Sequence, residues 1–186
     1  HWIMPGKRAV CFRAGYKGIP GPEDPLFETL NAMYREGLRL AAPHISLCTL
    51  PAAEVPEVLI PAKLRGSEAF SLFATTLGAA LDEAIQRLTE NRDVLRASWL
   101  NAWGSEALEA LNDELDGHLR TQFGRGTMRF SPGYGDLDIR VNPRLLDLLV
   151  EEEIVSNPTT GTLSPIKSTT CIIGWNHAPD HLYQPL

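Results

Sequence analysis

Cysteine is scarce in this chain: Cys11, Cys48 and Cys171 are the three it has in 186 residues, and no two of them form a C-x-x-C pair. Thiols so scattered build neither a disulfide framework nor a cysteine-held zinc or iron–sulfur centre, so a reducing cytoplasm is the expected compartment and no metal site is assigned. Basic charge is also sparse, with 17 Lys and Arg against 23 Asp and Glu, a formal net charge of −6 and no basic run longer than two residues. That balance excludes nucleic acid and an anionic membrane surface as main partners, and leaves small molecules and proteins. No apolar run approaches a membrane span, and the first residues lack the charged-then-apolar pattern of a signal peptide. Internal repeats, low-complexity stretches and a dividing linker are missing as well. No Ser-His-Asp or Cys-His arrangement stands out, so no residue is given a catalytic role.

What is present is ordinary globular material: 44% apolar and 22% charged residues, in a length that suits a single domain over residues 1–186. The chain begins at His1 rather than a methionine, which leaves room for residues upstream. Periodicity predicts a helix over 25–41, with Glu23 and Asp24 before it, Pro25 at its first position and Leu26, Leu30, Met33, Tyr34, Leu38 and Ala41 on one face. Short strands are expected over 44–50 and 55–60, and Pro51, Pro56 and Pro61 push them to an edge or a loop. Residues 69–75, apolar on both faces, read as a buried strand leading into a helix over 78–88.

A long helical stretch then runs from Asn91 or Asp93 to about Phe123. Leu95, Trp99 and Ala102 share one side of it, and Leu108, Leu111, Leu115 and Leu119 the opposite side. The helix therefore either breaks near Gly104 or is buried on different sides along its length. Opposite the leucine stripe lie Glu106, Glu109, Asp113 and Asp116; for all but Glu109 a solvated face is the expectation. Further on, Asn142 is expected to cap, and Pro143 to start, a helix with Leu145, Leu146, Leu148 and Leu149. The acids Glu151 to Glu153 that follow are unfavourable at a helix C-terminus. Residues 167–175, rich in β-branched side chains, read as the last strand, followed by an irregular tail.

The densest chemistry lies in Arg129-Phe130-Ser131-Pro132-Gly133-Tyr134-Gly135-Asp136. Pro132-Gly133 is a tight-turn dipeptide that lets backbone groups approach a ligand closely. Arg129 brings a donor fork suited to carboxylates, and Tyr134 a flat apolar face with a hydroxyl. The plainer alternative is a Pro-Gly loop with an arginine on its rim.

This stretch resembles the R-x-x-x-G-Y signature of the S-adenosylmethionine (AdoMet) binding activation domain of cobalamin-dependent methionine synthase, and above all its short stand-alone relatives, which read R-F-S-P-G-Y-G-D. Three more segments match in order: Phe73-Ala74-Thr75-Thr76-Leu77-Gly78, similar to the family's F-A-x-T-x-G lead-in to a helix; the alanine- and acid-rich stretch from Ala102 to Glu114; and Pro165-Ile166-Lys167-Ser168 onward, similar to its closing P-x-x-S-V-S strand. Together they span roughly residues 70–183, whereas residues 1–65 match no motif.

The resemblance implies an α+β fold, a twisted, mainly antiparallel sheet with packed helices. It implies an AdoMet site formed by Glu109, Arg129, Ser131, Gly133 and Tyr134, with Tyr183 of Asp180-His181-Leu182-Tyr183 as a further member. It implies a role in methionine biosynthesis: reductive methylation that rescues an inactive cob(II)alamin, or related corrinoid, on a methionine synthase core or other corrinoid-binding protein, with flavodoxin or ferredoxin as electron donor. The modules for homocysteine, folate and cobalamin are absent from this sequence, so the chain would either act in trans on a separate corrinoid protein or be a fragment. Departures accompany the match: Gly135-Asp136-Leu137-Asp138 replaces the P-A-C-P of the large synthases, Asn157-Pro158-Thr159-Thr160 stands where the family has L-T-x-S, and an acid from the N-terminal part of the large domain has no counterpart. Two rivals remain: a non-catalytic adaptor of the same fold that docks onto a corrinoid protein, and a metal site at His177-Ala178-Pro179-Asp180-His181, whose Pro179 spoils helical His-x-x-x-His geometry. His44 and Cys48 share that four-residue spacing, but on a strand they are expected to be core or rim residues.

Overall fold

The computed structural model describes residues 4–177, with five strands: β1 (His44–Pro51), β2 (Ala69–Thr76), β3 (Val155–Ser156), β4 (Leu163–Ser164) and β5 (Ser168–Trp175). The three long ones form an antiparallel sheet in the order β1-β2-β5, with His44 opposite Thr76 and Ala69 opposite Trp175; β3 and β4 make a separate small pair. All eight residues of β2 are buried, which is why that segment is apolar on both faces: it is the central strand, covered above and below.

Five α-helices complete the described chain: α1 (Lys7–Arg13), α2 (Leu26–Leu40), α3 (Ala79–Glu90), α4 (Val94–Phe123) and α5 (Asn142–Leu149). The period of two along the strands sorts side chains to opposite faces. Phe73, Cys171, Ile173 and Trp175 pack with Leu115 and Leu119 of α4. Phe70, Leu72, Ala74 and Ile172 pack with Leu145, Leu146 and Leu149 of α5. A third cluster joins α1, α2, α3 and the first half of α4 through Val10, Leu30, Tyr34, Leu81, Trp99, Leu100 and Trp103.

Helix α4 is continuous and buried on different sides along its length, but the change comes later than the stripes suggest: Leu108 and Leu111 still pack in the helical cluster, and Leu115 and Leu119 pack on the sheet. Gly104 marks close packing, since a Cβ there would lie 2.8 Å from Leu81 Cδ2 and 3.2 Å from Lys167 Cε. Leu95 departs from its expected stripe and is 41% exposed, because the first turn of α4 projects beyond the cluster.

Four expectations need correction or completion. Residues 55–60 are not a strand: three 3-10 turns, Ala52–Glu54, Glu57–Leu59 and Ala62–Leu64, each follow a proline, Pro51, Pro56 and Pro61. The prolines supply φ values of −57°, −55° and −66° but no ladder N–H, so the segment turns repeatedly while Leu59 and Leu64 drop into the core. The first helix, α1, carried no expectation at all. Asn142 is not a cap: it lies inside α5, buried, where its Nδ2 donates to Gly161 O (2.8 Å) and its Oδ1 accepts from Thr170 Oγ1 (2.6 Å), tying helix to strand.

The acids after α5 also acquire a reason. Val150 ends the helix in the left-handed region (φ 53°), and the fully buried Glu151 carboxylate accepts from the amides of Glu153 (2.7 Å) and Ile154 (3.1 Å). It accepts as well from Ser46 Oγ on β1 and lies 3.4 Å from His44 Nε2. Burial acts to raise its pKa, but these donors and the nearby His44 outweigh it and hold the carboxyl below the usual glutamate range. His44 is accordingly a rim residue and Cys48 a core one. All three cysteines are free and buried, and among the described residues no helix is long and apolar enough to cross a membrane.

Candidate functional site

The signature stretch is positioned by β5. Thr127 N donates to Gly174 O (2.8 Å), and Phe130 exchanges two backbone hydrogen bonds with Ile172 (2.9 and 2.8 Å), so residues 126–130 run beside β5 as an irregular extra strand. Phe130 packs with the α5-side cluster. Its neighbour Arg129 reaches α4, where Nη2 lies 3.1 Å from Glu109 Oε2 and 3.0 Å from Asp113 Oδ1. The two acids are four residues apart and so share one face of α4. Arg129 is the least accessible of the three, its side chain 21% exposed against 55% for Glu109 and 75% for Asp113. One guanidinium nitrogen serves two carboxylates, and the trio carries a surplus negative charge.

Beyond Arg129 the chain turns sharply. Gly133 adopts φ +96°, a conformation that excludes most side chains, and its N–H donates to Leu137 O (2.8 Å) while Leu137 N returns to Tyr134 O (3.1 Å). Tyr134 is left 72% exposed on the rim. Ser131 Oγ is 3.2 Å from Cys171 Sγ, under the turn. Burial pushes the Cys171 thiol up to about 11, against the opposing pull of Ser131 and Arg129, so it stays protonated near neutrality. Asp136 Oδ2 accepts from Ala62 N (2.8 Å), fastening the loop to the last proline turn. Next to it, Arg140 holds the Asp138 carboxyl down to about 2 through side-chain and backbone hydrogen bonds.

Glu109 and Arg129 therefore touch, and Ser131, Gly133 and Tyr134 follow on one continuous turn. Tyr183 lies outside the described residues, as do Asp180 and His181 of the metal reading. Among the described residues no group of His, Cys, Asp and Glu is gathered to hold an ion. The expected solvated face holds for Asp113, which stays exposed although it pairs with Arg129, and is corrected for Glu106 and Asp116, which are largely withdrawn from water and pair with Arg13 of α1 and with Arg120 (2.9 Å). Arg13 of α1 and Arg129 of the signature stretch lean onto that face from outside, and Arg120 from the next turn of α4 itself. Asp113 and Cys171 were the residues sequence reading missed here. The i, i+4 spacing from Glu109 could have flagged the first, whereas the second needs the strand register.

No family model matches the chain, and no curated protein matches its sequence. In shape it is similar to the MetH reactivation domain, known from a crystal structure bound to AdoHcy, with a TM-score of 0.61 and 15% identity. The likeness covers 86% of this chain and 66% of that one, so this chain spans just under two thirds of that domain's length. Such coverage reaches well into the first 65 residues, which carried no motif. At this identity the likeness shows the fold: an α+β domain with helices packed on an antiparallel sheet, as the sequence led us to expect.

Proposed function

We propose that this protein binds AdoMet and supports reductive methylation of an inactive cob(II)alamin, or related corrinoid, of methionine synthase or a similar corrinoid methyltransferase, acting in trans on a separate corrinoid protein. The observation that carries this reading is the Arg129–Glu109–Asp113 cluster at the foot of a Pro-Gly turn, in a fold similar to a domain whose solved structure holds AdoHcy.

The residues suit the ligand. AdoMet carries an ammonium, a sulfonium and a carboxylate, so its site needs both signs of charge. The surplus carboxylate favours the two cationic groups, and the Arg129 fork answers the carboxylate once one acid lets go. The exposed Tyr134 ring offers apolar cover. Glu109, Arg129, Ser131, Gly133 and Tyr134 would hold the ligand, with Tyr183 as a further member. When bound, AdoMet would supply the methyl group, and the partner's cobalt, reduced by a flavodoxin or ferredoxin, would be the substrate that takes it. This chain's own task is then to bind and orient, so it needs no general base.

One observation favours the adaptor reading instead. The guanidinium nitrogen nearest α4 is already occupied by two carboxylates, so a ligand carboxylate must compete for it. Titration calorimetry of AdoMet into the protein, with Arg129→Ala and Glu109→Gln, separates the two readings. Binding that is lost in Arg129→Ala supports the pocket and leads to an assay of cob(II)alamin methylation with a reductant. Absence of binding supports the adaptor.

A further inference from the structure

On the opposite face of the sheet from the Arg129 cluster, a cleft of about 510 Å³ opens between the C-terminal end of α5 and β3. Leu146 and Ile154, both buried, form its floor, and Val150, 61% exposed, stands at its lip. Its charged lining is acidic throughout. Glu151 is already engaged by Ser46, His44 and two amides. Asp147 and Glu152 are exposed, and their carboxylates have no hydrogen-bond or ion-pair partner among the described residues. Arg144, the one cation of α5, is not part of the lining.

The backbone of β3 adds an independent observation. Asn157 N donates to Thr162 O (2.9 Å), in the register that sets Val155 opposite Ser164 and Ser156 opposite Leu163. Alternation along an antiparallel pair then directs the Ser156 N–H and C=O away from β4, to the open edge of the hairpin. Ser156 Oγ, which also lines the cleft, is buried with no partner. Open strand edges accept extended peptides through main-chain pairing, and the pockets beside them select alternate side chains.

We propose that this cleft docks an extended basic segment of a partner protein. The segment's main chain pairs with Ser156, its lysine or arginine side chains meet Asp147 and Glu152, and an apolar residue between them rests on Leu146 and Ile154. Charge complementarity selects this occupant: the lining offers carboxylates and no cation, in a chain whose net charge is already −6. The surface stands apart from the Arg129 cluster and does not depend on what that cluster binds.

The probe is fluorescein-labelled acetyl-Lys-Val-Lys-Val-Lys-amide, followed by fluorescence anisotropy with the whole chain. Expected are saturable binding that weakens as salt rises, no comparable binding of the Glu-Val-Glu-Val-Glu peptide, and loss on the order of tenfold in affinity for the Asp147→Asn/Glu152→Gln double variant. Both substituted residues are exposed, so the fold is left intact. N-methylation of the backbone nitrogen of the central lysine, which removes a main-chain donor, should weaken binding as well. The proposal is overturned if the acidic peptide binds equally, if the double variant or the N-methyl peptide binds unchanged, or if 1,5-diaminopentane displaces the probe at matched concentration, which would mark a site for small cations.

Discussion

Replacing glycine by alanine should have opposite effects at two helical positions of this protein. Glycine inside a helix costs about 1 kcal/mol relative to alanine, so an unobstructed site gains up to about that much from the substitution. Gly117 of α4 is such a site: it is exposed, and an added Cβ meets nothing within 4 Å. At Gly37 of α2 the same Cβ would lie 2.3, 2.5 and 2.7 Å from Cδ2, Cε3 and Cε2 of Trp103. Carbon atoms rest about 3.5–4 Å apart, so the indole would have to move by more than 1 Å. Trp103 is fully buried and packed edge-on to Tyr34, with ring centroids 6.3 Å apart. A rigid ring in a filled cluster cannot swing aside, and overpacking of this kind costs about 1–3 kcal/mol or more. The clash outweighs the propensity gain: Gly37→Ala should lose about 1–2 kcal/mol and Gly117→Ala should gain about 0.5–1 kcal/mol. Urea denaturation at constant m-value measures both. A Gly37→Ala protein as stable as wild type would refute the packing described for α2 against α4.

Asn142→Ala should destabilise by about 2–4 kcal/mol in thermal or urea melts, because it strands the Gly161 carbonyl and the Thr170 hydroxyl in the core; a loss below about 1 kcal/mol would mean water replaces the amide. Glu151, with its folded pKa held below the ordinary glutamate value, contributes stability that is present above that value and is lost as pH falls through the lowered one. Glu151→Gln should therefore lower stability at neutral pH and flatten the acid limb of a stability–pH curve below about pH 4.3, and an unchanged limb would contradict it. Asp113→Asn should weaken AdoMet binding by about two- to tenfold in calorimetry if Asp113 supplies the surplus charge at Arg129. An unchanged Kd would confine that charge to Glu109.

Much of the scaffold was legible because its signals are local. The apolar stripe of α2 and the two-faced burial of β2 follow from spacing and match the burial found, and so does the face change in α4 apart from the exposed Leu95 and the later crossing point after Leu111. The segment after β1 was misread because valine, leucine and isoleucine between prolines fit an edge strand as well as they fit 3-10 turns. Only the way Leu59 and Leu64 reach the core distinguishes the two. Asn142 and Glu151 carried local expectations, a cap and a misplaced charge, that were overridden by partners far away in sequence: Thr170 and Gly161 for the first, Ser46 and His44 for the second. At the candidate site the residue types and the turn were readable, but the double engagement of Arg129 required knowing that residues 126–130 lie along β5.

A helix of 30 residues rising about 1.5 Å per residue is a rod about 45 Å long. Here it is the shared wall of two interiors, one made of tryptophans and helices and the other of strands. Neither interior can melt alone without leaving half of the rod unsupported in water, so the chain should lose structure as one cooperative unit rather than in two stages. Glu109 and Asp113 sit where the rod passes from one interior to the other. Their grip on Arg129 thus depends on both, and a substitution deep among the tryptophans would be felt at the turn as a change in aim.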